Sequence, residues 1–243
     1  MFLFYYIFAK LIKIKSMAEK IIEAIVLRIE DYYENDNDSL VTFLTKNGLI
    51  KVYSKGINKP ISKNRNNLII GSLVEIEYFE ARIKNKISKL KKARIKIMPN
   101  FNDISILKLI KKSVIFLSNF YEKCENVFNA YKTILEKQND IQSSYLFTYL
   151  LAQSLDYFGI KPITEYCYNC KTPGNLCDFE FYKGGFICGD CSNKKRWTKE
   201  LKSFYYLFKD LNTFVNVVTP EINKLIYNEL IIYLKDNGIY LNY

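Results

Sequence analysis

The chain has 243 residues, enough for two or three compact units, and almost half of them are hydrophobic, which excludes wholesale disorder. It contains no histidine, so Ser-His-Asp and Cys-His catalysis, histidine proton relays and every histidine-containing metal site are excluded together. The formal charge of +11 favours a polyanionic partner, but all except five of the 36 basic residues (Arg28, Arg65, Arg82, Arg94 and Arg196) are lysine, in a chain also rich in Asn, Ile, Tyr and Phe. That composition has the form of AT-rich coding bias, so the clustering of charge carries more weight than its sum.

Residues 1–16 are apolar as far as Lys10 and then interrupted by Lys13 and Lys15. The apolar run is far short of the ~20 residues that span a bilayer. Its charges follow rather than precede it, which does not suit a signal peptide. Met17 opens a segment that reads as an ordinary protein start. Residues 1–16 are therefore expected to be an upstream extension, with a short membrane-surface helix as the alternative.

Residues 20–98 read as β. Ile21 to Ile29 is a strongly apolar strand. Glu30 to Asp38 is a polar loop holding Glu30, Asp31, Glu34, Asp36 and Asp38, with no second carboxylate strand to complete a nuclease site. Leu40 to Thr45 and Leu49 to Tyr53 flank Asn47-Gly48, a strong hairpin signal. Leu73 to Tyr78 alternates Val, Ile and Tyr with Glu75 and Glu77, and a last strand covers Lys91 to Ile97. Five strands in about eighty residues with short links fit a small oligonucleotide-binding (OB) barrel.

The cations cluster in this barrel. Between residues 82 and 96, Arg82, Lys84, Lys86, Lys89, Lys91, Lys92, Arg94 and Lys96 occur with no acid among them. Strict alternation puts Lys92, Arg94 and Lys96 on one face of the last strand, with Ala93, Ile95 and Ile97 on the other. Lys51, Lys55, Lys59, Lys63 and Arg65 form a second set running from the hairpin into the following connection. Rows of ammonium groups near aromatics such as Tyr53 suit phosphate-directed, sequence-independent binding of single strands.

Pro99 marks a boundary. Residues 103–160 carry helical periodicity, with Asp140 a candidate cap for the second helix and Gly159 a candidate terminator. Cys167-x-x-Cys170 and Cys188-x-x-Cys191 then have the spacing of a four-cysteine zinc site. Between the pairs, Phe179 and Phe181 alternate with Glu180 and Tyr182 ahead of Lys183-Gly184-Gly185, a β-hairpin pattern. Without a secretory signal, the pairs point to a reducing cytosol and metal thiolates rather than disulfides. Cys124 and Cys177 read as small buried residues, with Cys177 left open as a substitute ligand. Trp197, beside Lys194-Lys195-Arg196, is expected to anchor the zinc module. Helices resume from about Leu201, and Thr219-Pro220 opens the last one. There is no P-loop and no dinucleotide-binding fingerprint, and no stretch reads as a membrane span.

The order of barrel, helices, four-cysteine site and helices resembles the RecO family of bacterial recombination mediators. Tyr33-Glu34-Asn35-Asp36 is similar to the family's E-x-D loop, and Thr45 to Gly56 (TKNGLIKVYSKG) to its T-x-x-x-G-L…K-G segment. Leu150-Leu151, Gly159, Pro162, the first cysteine pair, Gly184-Gly185 and the second pair follow its L-L…G…P…C-x-x-C…G-G-x-x-C-x-x-C pattern. The resemblance runs from about Met17 to near the end and weakens over 239–243. It implies an α+β protein without enzyme activity, in which an OB barrel at 17–98 precedes a helical domain at 99–243 that carries a structural zinc module at about 163–196. It further implies a cytoplasmic, nucleoid-associated protein that binds single- and double-stranded DNA and anneals complementary strands. Working with RecR on strands coated by single-strand-binding protein, such a protein would help load RecA. A zinc-ribbon RNA-binding or transcription-associated adaptor is the alternative.

Overall fold

The computed structural model of the protein describes residues 19–81 and 86–241. The expectations for residues 1–16, and those for Arg82 and Lys84, lie outside them.

Five strands, β1 (Glu19–Asp31), β2 (Ser39–Thr45), β3 (Gly48–Ser54), β4 (Leu73–Phe79) and β5 (Ser88–Ile97), close into a barrel in the order β1-β2-β3-β5-β4. All neighbours run antiparallel except β3 and β5, whose parallel seam pairs only Val52 with Ser88 and Tyr53 with Lys89. The barrel interior holds Val26, Val41, Phe43, Val52, Val74, Ile76, Leu90 and Ala93, all buried. Ile25 and Leu27 face the other way, into the core of the helical part, together with Leu44 and Leu73. Where β1 is buried on both faces, at residues 24–27, it needs a continuous apolar run rather than alternation, and Ala24, Ile25, Val26 and Leu27 supply it.

The helical part comprises α1 (Ile104–Leu117), α2 (Glu125–Lys137), α3 (Ser143–Ser154), α4 (Thr198–Lys209), α5 (Leu211–Val217) and α6 (Pro220–Asp236). The hairpin β6 (Leu176–Glu180) and β7 (Gly185–Cys188) is inserted between α3 and α4. Asp103 caps α1, its carboxylate accepting from the backbone N–H groups of Ser105 and Ile106, and Thr219 caps α6 ahead of Pro220. Asp140 does not act as a cap. Residue 142 is the α3 N-cap, a glutamine with no capping side-chain bond, so α3 starts beyond Asp140 without a side-chain cap.

The Thr45–Gly48 turn joins the two parts. Its Lys46 carbonyl accepts from the Cys124 N–H at 2.9 Å, and the Cys124 thiol donates to the Thr45 carbonyl at 3.3 Å. Burial pushes that thiol up to about 11, so it stays a protonated donor. Fully buried Tyr131 of α2 donates its hydroxyl to the Gly71 carbonyl at 2.8 Å. Gly48 has φ +102, and a Cβ there would lie 2.3 Å from the Tyr121 carbonyl oxygen. Gly48→Ala therefore meets both a disfavoured backbone conformation and a rigid clash, and should cost roughly 2–4 kcal/mol in denaturant unfolding.

Candidate nucleic-acid interface and four-cysteine centre

Two bulges reshape the cationic strand. In β5, Glu77 pairs with Lys92 and Tyr78 with Leu90, leaving Lys91 as the extra residue; Leu73 pairs with Ile97 and Val74 with Ile95, leaving Lys96 as another. Leu90 and Ala93 can then both point inward, while Lys91 and Lys92 both lie outside. The acid-free run in sequence is not acid-free in space. Lys91 is ion-paired with Glu19 and Glu77, and Lys96 with Glu75 at 2.9 Å. The hydrogen bond and charge of Lys96 hold the Glu75 carboxyl below its ordinary range, with Arg94 and Lys92 adding to the effect. Lys92 and Arg94 are exposed and make no ion pair among the described residues. Lys86 and Lys89 are also exposed.

The second cationic set is held in two places. At its start, the buried Asp38 carboxylate accepts from the Gly56 N–H at 2.6 Å and from the Tyr53 hydroxyl. That bond to Asp38, helped by burial, pushes the Tyr53 phenol up to about 12. The Asn58 side chain donates to the Asp36 carbonyl at 2.8 Å. At its end, Asn64 and Asn67 lie against β5 and accept hydrogen bonds from the Ala93 and Ile95 N–H groups. Lys55, Lys59, Lys63 and Arg65 are exposed along this connection, while Lys51 reaches Glu30 at 3.4 Å. The fold thus sets the connection that carries Lys63 and Arg65 against the strand that carries Lys92 and Arg94, and anchors its start on the Asp38 carboxylate and the Asp36 carbonyl.

The four cysteines Cys167, Cys170, Cys188 and Cys191 converge, with all sulfurs within 4.8 Å of one another. Cys170 and Cys188 are 3.5 Å apart. A tetrahedral zinc with Zn–S of about 2.3 Å needs sulfurs about 3.8 Å apart, so the donor set fits the ion in kind and spacing. Burial opposes the thiolate at Cys167, yet backbone N–H groups of Cys170, Cys188 and Asn169 outweigh it and bring the thiol down to about 6. Cys191 is pushed up to about 12, chiefly by the adjacent Cys170 and Cys188 sulfurs. Four sulfurs this close cannot all ionise against their mutual repulsion, and a dication removes that repulsion. Cys177 stands outside the cluster, its sulfur directed at the Lys194 carbonyl.

The glycine pair makes the hairpin fit. Gly185 has φ +134 and bridges to Ile163, whose carbonyl oxygen would lie 2.1 Å from an added Cβ. Phe179, Phe181 and Phe186 then pack on the helices, with Phe179 stacked on Phe204 at 4.3 Å between centroids. Trp197 is not the anchor, being 81% exposed. The anchor is its neighbour. Arg196 reaches Asp178 of the hairpin at 3.3 Å, Glu200 of α4 at 3.2 Å and Glu229 of α6 at 2.9 Å, and lies over the Phe204 ring at 4.9 Å. The acids that complete this network are dispersed over some fifty residues, so only the rarity of arginine in the chain could have drawn attention to it.

The comparisons with known proteins agree with this layout. A model described as the N-terminal part of recombination protein O matches residues 17–98, and one for its C-terminal part matches 106–209. The chain belongs to the RecO family. A curated relative, the DNA repair protein RecO of Mesoplasma florum, is 27% identical over 237 residues, covering 92% of this chain and 88% of that protein. Family membership gives the protein a role in DNA repair and recombination. No helix among the described residues is long and apolar enough to cross a membrane.

Proposed function

We propose that the protein is a non-enzymatic recombination mediator whose barrel holds DNA by its phosphates. In this reading residues 17–98 form the DNA-binding unit and 99–243 a helical unit. The protein binds single and double strands and anneals complementary ones. Together with RecR, it helps RecA load onto strands coated by single-strand-binding protein. The observation that carries the reading is the pair Lys92 and Arg94, exposed on the outer face of β5 without ion-pair partners among the described residues. Phosphates that replace water at such cations release counterions, and lowering the repulsion between two strands promotes their pairing.

The test measures binding of labelled oligothymidine and oligouridine across a salt series, with annealing of complementary DNA coated by single-strand-binding protein. Salt-sensitive DNA binding with accelerated annealing is expected. Preference for RNA without annealing would instead favour the adaptor reading, and strand cleavage on adding magnesium or manganese would overturn the non-enzymatic one.

Zinc fits this reading as a structural ion held by Cys167, Cys170, Cys188 and Cys191. Bound there, it ties two tight turns of a module whose own apolar cluster is only Cys167, Ile187 and Cys188 with Leu176 and Cys191 beside them. Elemental analysis should find one zinc per chain. Cys188→Ser should lose it, whereas Cys177→Ser should keep it. Zinc loss from the Cys177 variant alone would reassign the ligands.

A further inference from the structure

We infer that Asn64 and Asn67 are positioning residues for the nucleic-acid surface, their side-chain amides seating the basic connection on the open edge of β5 so that Lys63 and Arg65 join Lys92 and Arg94. This inference rests on the reading of the barrel as the DNA-binding element.

One edge of β5 is paired with β4 along the strand, but the other meets β3 only at Ser88 and Lys89. Beyond that seam no strand among the described residues lies beside Lys91 to Ile95 on this edge. Ala93 is nearly fully buried, and an unpaired peptide group there would be costly. Asn64 supplies what a strand would: its Oδ1 accepts from the Ala93 N–H at 3.0 Å and its Nδ2 donates to the Lys91 carbonyl at 3.4 Å. Asn67 continues the pattern, its Oδ1 accepting from the Ile95 N–H at 3.3 Å. The two amides occupy alternate positions along one edge, as the peptide groups of a paired strand do.

The local backbone explains why both point the same way. Arg65–Asn67 is a single 3-10 turn, closed by the Asn67 N–H on the Asn64 carbonyl at 3.0 Å. Residues three apart eclipse in that geometry, so Asn64 and Asn67 share the face toward β5. Arg65 and Lys63, which flank Asn64, remain exposed. The Asn67 side chain also donates to the Lys63 carbonyl at 3.0 Å, tying the lysine's backbone to the same turn. A pair of asparagines thereby merges two cationic segments far apart in sequence into one surface. An aliphatic residue at either position would keep all four charges but free the connection from the strand.

The experiment uses the full chain, fluorescein-labelled thirty-nucleotide oligothymidine and a salt series, with hydrogen exchange at Ala93 and Ile95 as a check on the edge. Asn64→Ala/Asn67→Ala should speed exchange at both amides and weaken binding about tenfold at 0.1 M salt. It should also make the log–log salt slope shallower by about 1.4, from two single-strand phosphate contacts at about 0.7 each. Lys63→Glu/Arg65→Glu should weaken binding strongly in the native background and little further in the double-alanine background. If the double variant does not fold, Asn67→Ala alone is read in the same way, with a slope shallower by about 0.7. Fast exchange with unchanged slope and a full, additive effect of Lys63→Glu/Arg65→Glu would overturn the positioning role. Absence of oligothymidine binding by the native protein would instead remove the DNA-binding reading on which it rests.

Discussion

Lys92→Glu/Arg94→Glu will weaken single-stranded DNA binding on the order of a hundredfold at 0.1 M salt, if each lost charge-assisted contact is worth about 1.5 kcal/mol. The slope of affinity against salt should fall by about 1.4 at the same time. The comparison that gives this meaning is Lys91→Gln/Lys96→Gln. Those two lysines carry the same charge on the same strand, but they stand at bulges and are already engaged by Glu19, Glu77 and Glu75. A phosphate reaching them must displace a carboxylate, so their loss should change affinity only a few-fold. Reversing Lys92 and Arg94 also adds acids opposite Glu77 and Glu75, their register partners, which extends a negative field over the strand. A free-energy loss in the first double variant only about twice that in the second, in proportion to their changes in charge, would show by anisotropy that the surface acts through net charge and not through its unpaired cations.

The contrast between those pairs marks what the sequence could and could not reveal. Local signals were strong where one residue type serves one backbone need. Asn47-Gly48 gave the hairpin, Thr219-Pro220 the last helix, and the two cysteine pairs their convergence. Signals failed where the outcome depends on elements distant in the chain. Alternation puts Lys92, Arg94 and Lys96 on one face, and all three are exposed there, but it gives no sign of the carboxylates from β1 and β4 that engage Lys91 and Lys96. In sequence Asp38 is one of five acids in a polar loop, and its burial under Tyr53 and Gly56 follows only from barrel closure. Trp197 stands beside three cations in sequence, yet it is exposed. Arg196 holds the module because Asp178, Glu200 and Glu229 converge on it, and no spacing rule encodes three acids on three elements.

Arg196→Met should therefore be strongly destabilising, at about 3 kcal/mol, because it leaves the buried Asp178 and the partly buried Glu200 and Glu229 without their cation. Asp178 keeps the Phe179 N–H and the Ser192 hydroxyl, but Glu229 and Glu200 lose their guanidinium. The pH dependence gives a second signature. Burial already holds the Glu229 carboxyl above its ordinary value against the pull of Arg196, and removing the arginine raises it further. An acid whose folded pKa is raised contributes stability below its unfolded pKa and loses it as pH rises through the folded one. The deficit of the variant relative to the native protein should thus be largest at neutral pH and narrow toward pH 5. Taking the difference cancels acid effects on the thiolates, which both proteins share. Oligothymidine binding should survive in the variant wherever it remains folded, since Arg196 lies in the helical part and the cations of β5 do not contact its network. A deficit that is flat with pH would assign the cost to lost packing on Phe204 instead of to stranded charge.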